Sequence, residues 1–200
     1  MTEVDLGARL RAALAHPGAG SSDFDLNPGF LQPEGRRLRP AAVLVAIKDG
    51  ANGPRLILTK RASGLQHHPG QIAFPGGKVD MGDAGPQDAA LREAEEEIAL
   101  PRHAVEIIGS LSPHETVTGF TVTPFLGIVR DEFKARPAPG EVAEVFSVPL
   151  NHVTCVDNYF VQSRHWRRQR RYYYTVPYGP YYIWGATARI LRGLAERLGS

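Results

Sequence analysis

The stretch Arg92-Glu93-Ala94-Glu95-Glu96-Glu97 packs four carboxylates and a guanidinium into six residues. On a helix, Glu93 and Glu97 lie four apart and Glu93 and Glu96 three apart, so these side chains share a face. Like charges so placed destabilise a bare helix. A hard divalent cation would reverse that cost, because Mg²⁺ takes carboxylate oxygens together with phosphate oxygens of a substrate. Arg92 can hold one of the carboxylates in a fixed orientation through its forked guanidinium. Just upstream, the glycines of Phe74-Pro75-Gly76-Gly77 let the backbone come close to a ligand, and a free carbonyl there could complete a metal shell. A solvated acidic helix face would contain the same residues, and the cluster alone does not separate the two readings.

The elements that must carry these side chains are visible in the periodicity. Gly85-Pro86 opens a helix over 86–98, since proline suits the first helical position, and Pro101 stops it. Ahead of it, 41–47 (AAVLVAI) is an apolar run of strand length. The turn cluster 49–54 and a second strand at 56–59 make a hairpin with a long loop. A third short strand is expected at 71–74, ended by Gly76-Gly77. Further strands are expected at 105–111, 121–129 and 142–148, a short helix near Asn151, a hairpin over 159–176 and a closing helix over 186–198. At the other end, 4–16 has the spacing of a short amphipathic helix, and 17–40 reads as a loop or arm rich in Gly, Pro and Ser. No internal repeat is present. Interspersed strands and helices predict an α/β fold with a mixed sheet and helices on its faces.

Composition excludes several classes. The chain has 200 residues, enough for one domain with a real core. Its 23 basic and 21 acidic side chains give a net charge of +2, no footprint for long nucleic acid. The single cysteine, Cys155, cannot form an internal disulfide, and its apolar neighbours Val153 and Val156 point to packing rather than a nucleophile. No apolar run reaches the length of a membrane span. Residues 1–20 do not read as a secretory signal, and the end Leu198-Gly199-Ser200 shows no lipidation or peroxisomal address. The expectation is a cytoplasmic enzyme with no membrane partner. The run containing Arg164, Arg167, Arg168, Arg170 and Arg171, with Trp166 inside it, is either a solvated hairpin tip or a contact for a phosphate. Tyrosines between 172 and 182 could stack on adenine or serve sheet packing.

Gly77, an acidic residue several positions on, and then Arg92-Glu93-Ala94-Glu95-Glu96-Glu97-Ile98-Ala99-Leu100 resemble a Nudix box. The usual box has glycine where this chain has Ala99. The interval from Gly77 to Arg92 is one residue longer than usual, and Asp80 or Asp83 replaces the intermediate glutamate. The altered interval and the aspartate are features of the coenzyme A pyrophosphatase branch; Ala99 is not accounted for that way. Leu58-Thr59-Lys60-Arg61-Ala62-Ser63, then Leu65, His68 and Gly70-Gln71-Ile72-Ala73-Phe74-Pro75-Gly76-Gly77, resemble that branch's upstream signature. Val117-Thr118-Gly119-Phe120 with Val122-Thr123-Pro124, and Tyr182-Ile183-Trp184-Gly185 with Thr187, are similar to the same branch. The resemblance covers residues 40–198, leaving 1–39 as an N-terminal helix and loop extension.

The resemblance implies the Nudix α/β/α sandwich around a mixed β-sheet, with Mg²⁺ or Mn²⁺ as cofactor. It matches Glu93, Glu96 and Glu97 to metal-binding glutamates, Glu93 and Glu97 being the first choice as direct ligands. Gly77 matches the glycine whose carbonyl joins the metal shell, and Arg92 the arginine that orients the glutamates. Glu141 and Glu144, following Arg136-Pro137-Ala138-Pro139-Gly140, are candidates for the general base, with an ordinary exposed glutamate as the alternative for each. Arg61, His68 and Gln71 match the branch signature and are read as substrate contacts or site scaffolding, a hydrogen-bonded structural histidine being the alternative for His68. The implied reaction is hydrolysis of coenzyme A or an acyl-coenzyme A to 3′,5′-ADP and (acyl-)4′-phosphopantetheine. Another nucleoside diphosphate derivative (a sugar nucleotide, a dinucleotide or a nucleoside triphosphate) or a non-catalytic Nudix-like ligand-binding module are the alternatives. A homodimer is compatible with all of these.

Overall fold

The computed structural model describes residues 3–15, 18–30, 35–66, 68–166 and 169–199. Helix α1 (Glu3–Ala15) opens the chain and a two-residue strand, β1 (Ser21–Ser22), follows. Strands β2 (Arg39–Lys48), β3 (Arg55–Arg61), β4 (Ile72–Ala73) and β5 (Gly76–Lys78) lead into α2 (Pro86–Ile98). Then come β6 (Val105–Ser110), β7 (His114–Glu115), β8 (Phe120–Val129) and β9 (Val142–Pro149). The short helix α3 (Leu150–Val153), the hairpin of β10 (Phe160–Trp166) and β11 (Gln169–Thr175), and helix α4 (Gly185–Leu198) complete the described elements.

Strand β2 shows why the fold has three layers. Its side chains alternate across the sheet. Ala42, Leu44 and Ala46 face α2, where they meet Ala89, Ala90, Ala94 and Ile98. Val45 and Ile47 face the opposite layer, with Leu6 and Leu10 of α1 and Ile190, Leu191 and Leu194 of α4. A strand buried on both faces must be apolar almost throughout, which is how 41–47 reads. β2 runs parallel to β8 and antiparallel to β3 and β5, so the sheet is mixed. The expected α/β/α sandwich is the fold observed.

Three features differ from the sequence-based expectation. First, β2 and β3 are joined only at their base, through Ile47↔Leu56 and Lys48↔Arg55. Beyond that β5 occupies the β2 edge at Ala41, Ala42 and Val43, β4 takes the same edge of β3 at Thr59 and Lys60, and β9 covers the other edge of β3 along its whole length. Second, Gly76 and Gly77 do not end the extended chain; they form β5. Glycine is required at 76, where a Cβ would strike the Ala42 carbonyl, and a Cβ on Gly77 would displace the Glu93 carboxylate. Third, 17–40 is not wholly an arm. Ser21 and Ser22 pair in parallel with His114 and Glu115. Among the described residues no helix is long and apolar enough to cross a membrane.

Candidate active site

Helix α2 lies on the sheet through small residues. Ala89, Ala90 and Ala94 are fully buried, so the helix axis sits close to β2 and β5. Closeness brings Glu93 and Glu97, on the flank of the buried face, against the β5 backbone. Gly76 donates its N–H to Glu97 Oε2 at 3.1 Å. Glu97 is only 6% exposed. Burial pushes its carboxyl up to about 7; the Gly76 N–H and Arg61 hold it down, while the charges of Glu93 and Glu141 push it further up. Glu93, half-buried beside Gly77, is also raised, by burial first and against the pull of Arg92. Glu96 points away from β5, with its side chain 58% exposed.

Arg92 joins the acidic groups to the loop before the helix. Its Nε and one terminal nitrogen grip Asp83 at 2.8 and 3.1 Å, a two-pronged pair. Its other terminal nitrogen donates to Glu93 at 3.2 Å and Glu96 at 3.0 Å, and the nitrogen that meets Asp83 also donates to Lys78 O at 3.2 Å. Between the two aspartates left open by the sequence, Asp83 is therefore the one that meets the helix. Arg92, then the Asp80 N–H, hold its carboxyl down at about 2. Asp80 stands 3.7 Å from Arg92 and is largely exposed.

Do these residues suit a divalent cation? Among the described residues no three His, Cys, Asp or Glu side chains are gathered closely enough to enclose an ion by themselves. The donor chemistry fits on narrower ground. Two carboxylates, both raised by burial, lie beside a glycine backbone, and Mg²⁺ is commonly held by one or two carboxylates with water and phosphate oxygens supplying the rest. A cation beside Glu93 and Glu97 would relieve the charge repulsion that lifts Glu97.

The other predicted residues fall into two groups. Arg61, at the end of β3, stands with the carboxylates, since its charge acts on Glu97. Glu141 belongs with them too: Ala138 donates its N–H to Glu97 O at 2.9 Å and Ala62 to Glu141 O at 2.9 Å, so its loop is stitched between α2 and β3. Glu141 itself is exposed. Glu144 is instead engaged by the Tyr181 hydroxyl. His68 and Gln71 line a cleft with Thr118, Arg164, Tyr173 and Trp184, and an adjoining depression of about 420 Å³ shares His68, Gln71, Arg164 and Trp184. The Arg61 N–H donates to Gln71 O at 3.0 Å, so the two groups are neighbours along one strand pair.

The basic run does not behave as one unit. Arg167 and Arg168 lie outside the described residues. Arg170 is exposed. Arg171 is no part of a solvated tip: it is 8% exposed, over the rings of Phe24 and Phe30. The alternation of a strand turns it inward while Arg170 points out. Arg164 lies over Trp184, 4.5 Å from the ring centroid. Two lining residues, Trp184 and Asp23, carried no site role in the sequence reading. Trp184 was signalled by its motif, whereas Asp23 sits in a segment that looked like a plain loop. Cys155 is exposed rather than packed, because it falls between α3 and the next turn, outside the core.

Comparison with known proteins supplies the remaining evidence. Residues 38–175 match the family model described as NUDIX domain. The chain is 45% identical over 161 residues to "Uncharacterized Nudix hydrolase NudL" of Enterobacter sp. (strain 638), a match covering 80% of this chain and 83% of that protein. It is 44% identical over 178 residues to the protein of the same name from Salmonella paratyphi B, covering 89% and 92%. Among solved structures, a MutT/nudix family protein from Enterococcus faecalis is similar in fold, with a TM-score of 0.53 at 15% identity, over 100% of this chain and 75% of that one.

Proposed function

This chain belongs to the Nudix hydrolases, enzymes that act on phosphorus anhydrides with the help of divalent metal ions, and from that premise we propose that it cleaves the diphosphate of coenzyme A or an acyl-coenzyme A. The products are 3′,5′-ADP and (acyl-)4′-phosphopantetheine. The observation that carries this reading is a convergence. Three blocks far apart in the chain, around His68 and Gln71, around Thr118, and around Trp184, meet at one cleft, which is joined to the carboxylates through the Gln71–Arg61 backbone contact. These are the blocks that resemble the coenzyme A pyrophosphatase branch.

The geometry supports the following assignment of roles. Glu93 and Glu97 would hold Mg²⁺ or Mn²⁺, with the Gly77 backbone beside them. Such an ion lowers the pKa of a bound water and draws charge from the diphosphate. Arg92, fixed by Asp83, keeps Glu93 and Glu96 in place. Glu96, exposed and bonded to Arg92, is available to an ion that arrives with the substrate. Glu141, exposed near Glu97, takes the proton of the attacking water as its oxygen bonds to phosphorus and the bridging P–O bond breaks. Arg61 faces the charge of the diphosphate, and His68 and Gln71 contact the nucleotide portion.

Mass-spectrometric product analysis with Mg²⁺ and with Mn²⁺ tests this, over coenzyme A, acetyl-coenzyme A, ADP-ribose, NADH, diadenosine polyphosphates and nucleoside triphosphates. Release of 3′,5′-ADP from coenzyme A, faster than turnover of the rest, is expected. Faster cleavage of another compound would overturn the substrate while keeping the box chemistry.

A further inference from the structure

Arg164 and Arg171 face each other directly in the β10–β11 ladder, two rungs back from its described end at Trp166↔Gln169. Directly opposed residues share a sheet face, and like charges so placed weaken a hairpin. Both line the same cleft, with His68, Gln71 and Thr118. Asp23 lines the cleft too, but its carboxylate accepts from Val117 N–H at 2.8 Å and pairs with buried His114 at 3.3 Å. Arg171 meets it through the Asp23 backbone carbonyl at 3.3 Å. Burial, and then Asp23 and Arg164 acting in opposite senses, leave Arg171 below the usual arginine range. Arg164 is exposed and stacks on Trp184. Stacking uses the face of a guanidinium and leaves its in-plane N–H donors for an acceptor.

We propose that Arg164 and Arg171 form a subsite for a phosphate monoester carried on the ribose of the nucleotide, apart from the diphosphate that is cut. Its identification as the 3′-phosphate rests on the coenzyme A reading above. Two guanidinium charges match a dianionic phosphate, and the rings of Trp184 and Tyr173, 5.2 Å apart, wall the space for the attached nucleoside. The carboxylates of α2 repel phosphate without a metal, so the two anionic ends of the ligand are sorted by the charge each site presents. Arg164 is the specificity-determining residue of the pair, because Arg171 is also built into the packing against Phe24 and Phe30.

Calorimetric titration of the whole protein with 3′,5′-ADP and with 5′-AMP tests the subsite. The wild-type protein is expected to prefer 3′,5′-ADP by about tenfold or more, the scale of a charge-assisted hydrogen bond. Arg164→Ala should abolish that preference by weakening 3′,5′-ADP more than 5′-AMP, and Arg164→Lys should restore part of it. In turnover, Arg164→Ala should raise KM for coenzyme A several-fold more than KM for dephospho-coenzyme A. Equal wild-type affinities, no binding of either nucleotide, or a preference that survives Arg164→Ala would overturn the subsite. If neither coenzyme A nor dephospho-coenzyme A is cleaved, the substrate reading fails, and the titration still decides the subsite by itself.

Discussion

Two residues of α2 make sharp demands on the protein. Ala99 ends the helix in the left-handed region, at φ 56° and ψ 34°, with its N–H donating to Glu95 O. That conformation is strained for any residue with a Cβ, which explains why the usual box has glycine here. Ala99→Gly should therefore raise stability, by about 0.5–1 kcal/mol after the added freedom of the unfolded chain is subtracted; a loss in urea unfolding would contradict this. Glu97 makes a demand of opposite sign. With its carboxyl lifted from 4.5 to about 7, the folded protein holds a proton that the unfolded chain releases between those values. Stability is fullest below pH 4.5 and is lost as pH rises to about 7, by about 3 kcal/mol at most. Glu97→Gln should flatten that slope in metal-free buffer. The same variant should lower kcat by about a hundredfold or more while staying folded, the scale of losing one electrostatic stabiliser; unchanged turnover would remove Glu97 from the metal site.

At the scale of elements, precision at the site comes from α2 being clamped on every side. Alanines press it to β2, Asp83 ties its first half to the preceding loop through Arg92, and Ala138 and Arg136 donate backbone N–H groups to Glu97 and Ile98 at its end. The N-terminal segment supports the other layer. Leu6 and Leu10 are buried under the sheet, and Asn27 exchanges two hydrogen bonds with the Tyr172 backbone, at 2.9 and 2.8 Å, continuing the edge of β11. We propose that residues 1–39 are an extension that buttresses the 40–198 domain. Leu10→Ala should destabilise the whole protein by about 2–4 kcal/mol, the usual cost of truncating a buried leucine. A change within a few tenths in a denaturant titration would mean that α1 rests on the domain without supporting it.

For the whole molecule, the charge pattern predicts a link between metal and stability. A cation that binds the folded chain stabilises it by mass action, and it does so best when its carboxylates are ionised. Mg²⁺ should therefore raise the melting temperature more at pH 8 than at pH 5.5. An equal shift at both values, or none at pH 8, would count against Glu93 and Glu97 as ligands. The near-neutral balance of 23 basic and 21 acidic side chains hides this local separation, with acid on α2 and guanidinium groups at the cleft.

The sequence by itself determined whatever lies within a few residues of its cause. Pro86 and Pro101 bracketed α2, the i, i+4 spacing put Glu93 and Glu97 on one flank, and the unbroken apolar run over 41–47 announced a strand. The motif blocks supplied the family and most of the candidate site. Tertiary structure alone decided which aspartate meets Arg92, that Gly76 and Gly77 pair as a strand, that Arg171 turns inward while Arg170 points out, and that the N-terminal segment enters the core. Each of these depends on partners distant in the chain, Arg92 with Asp83 over nine residues and Asn27 with Tyr172 over 145. Local propensity is indifferent to such choices, because they are made by the shapes and charges of surfaces that exist only once the layers have packed.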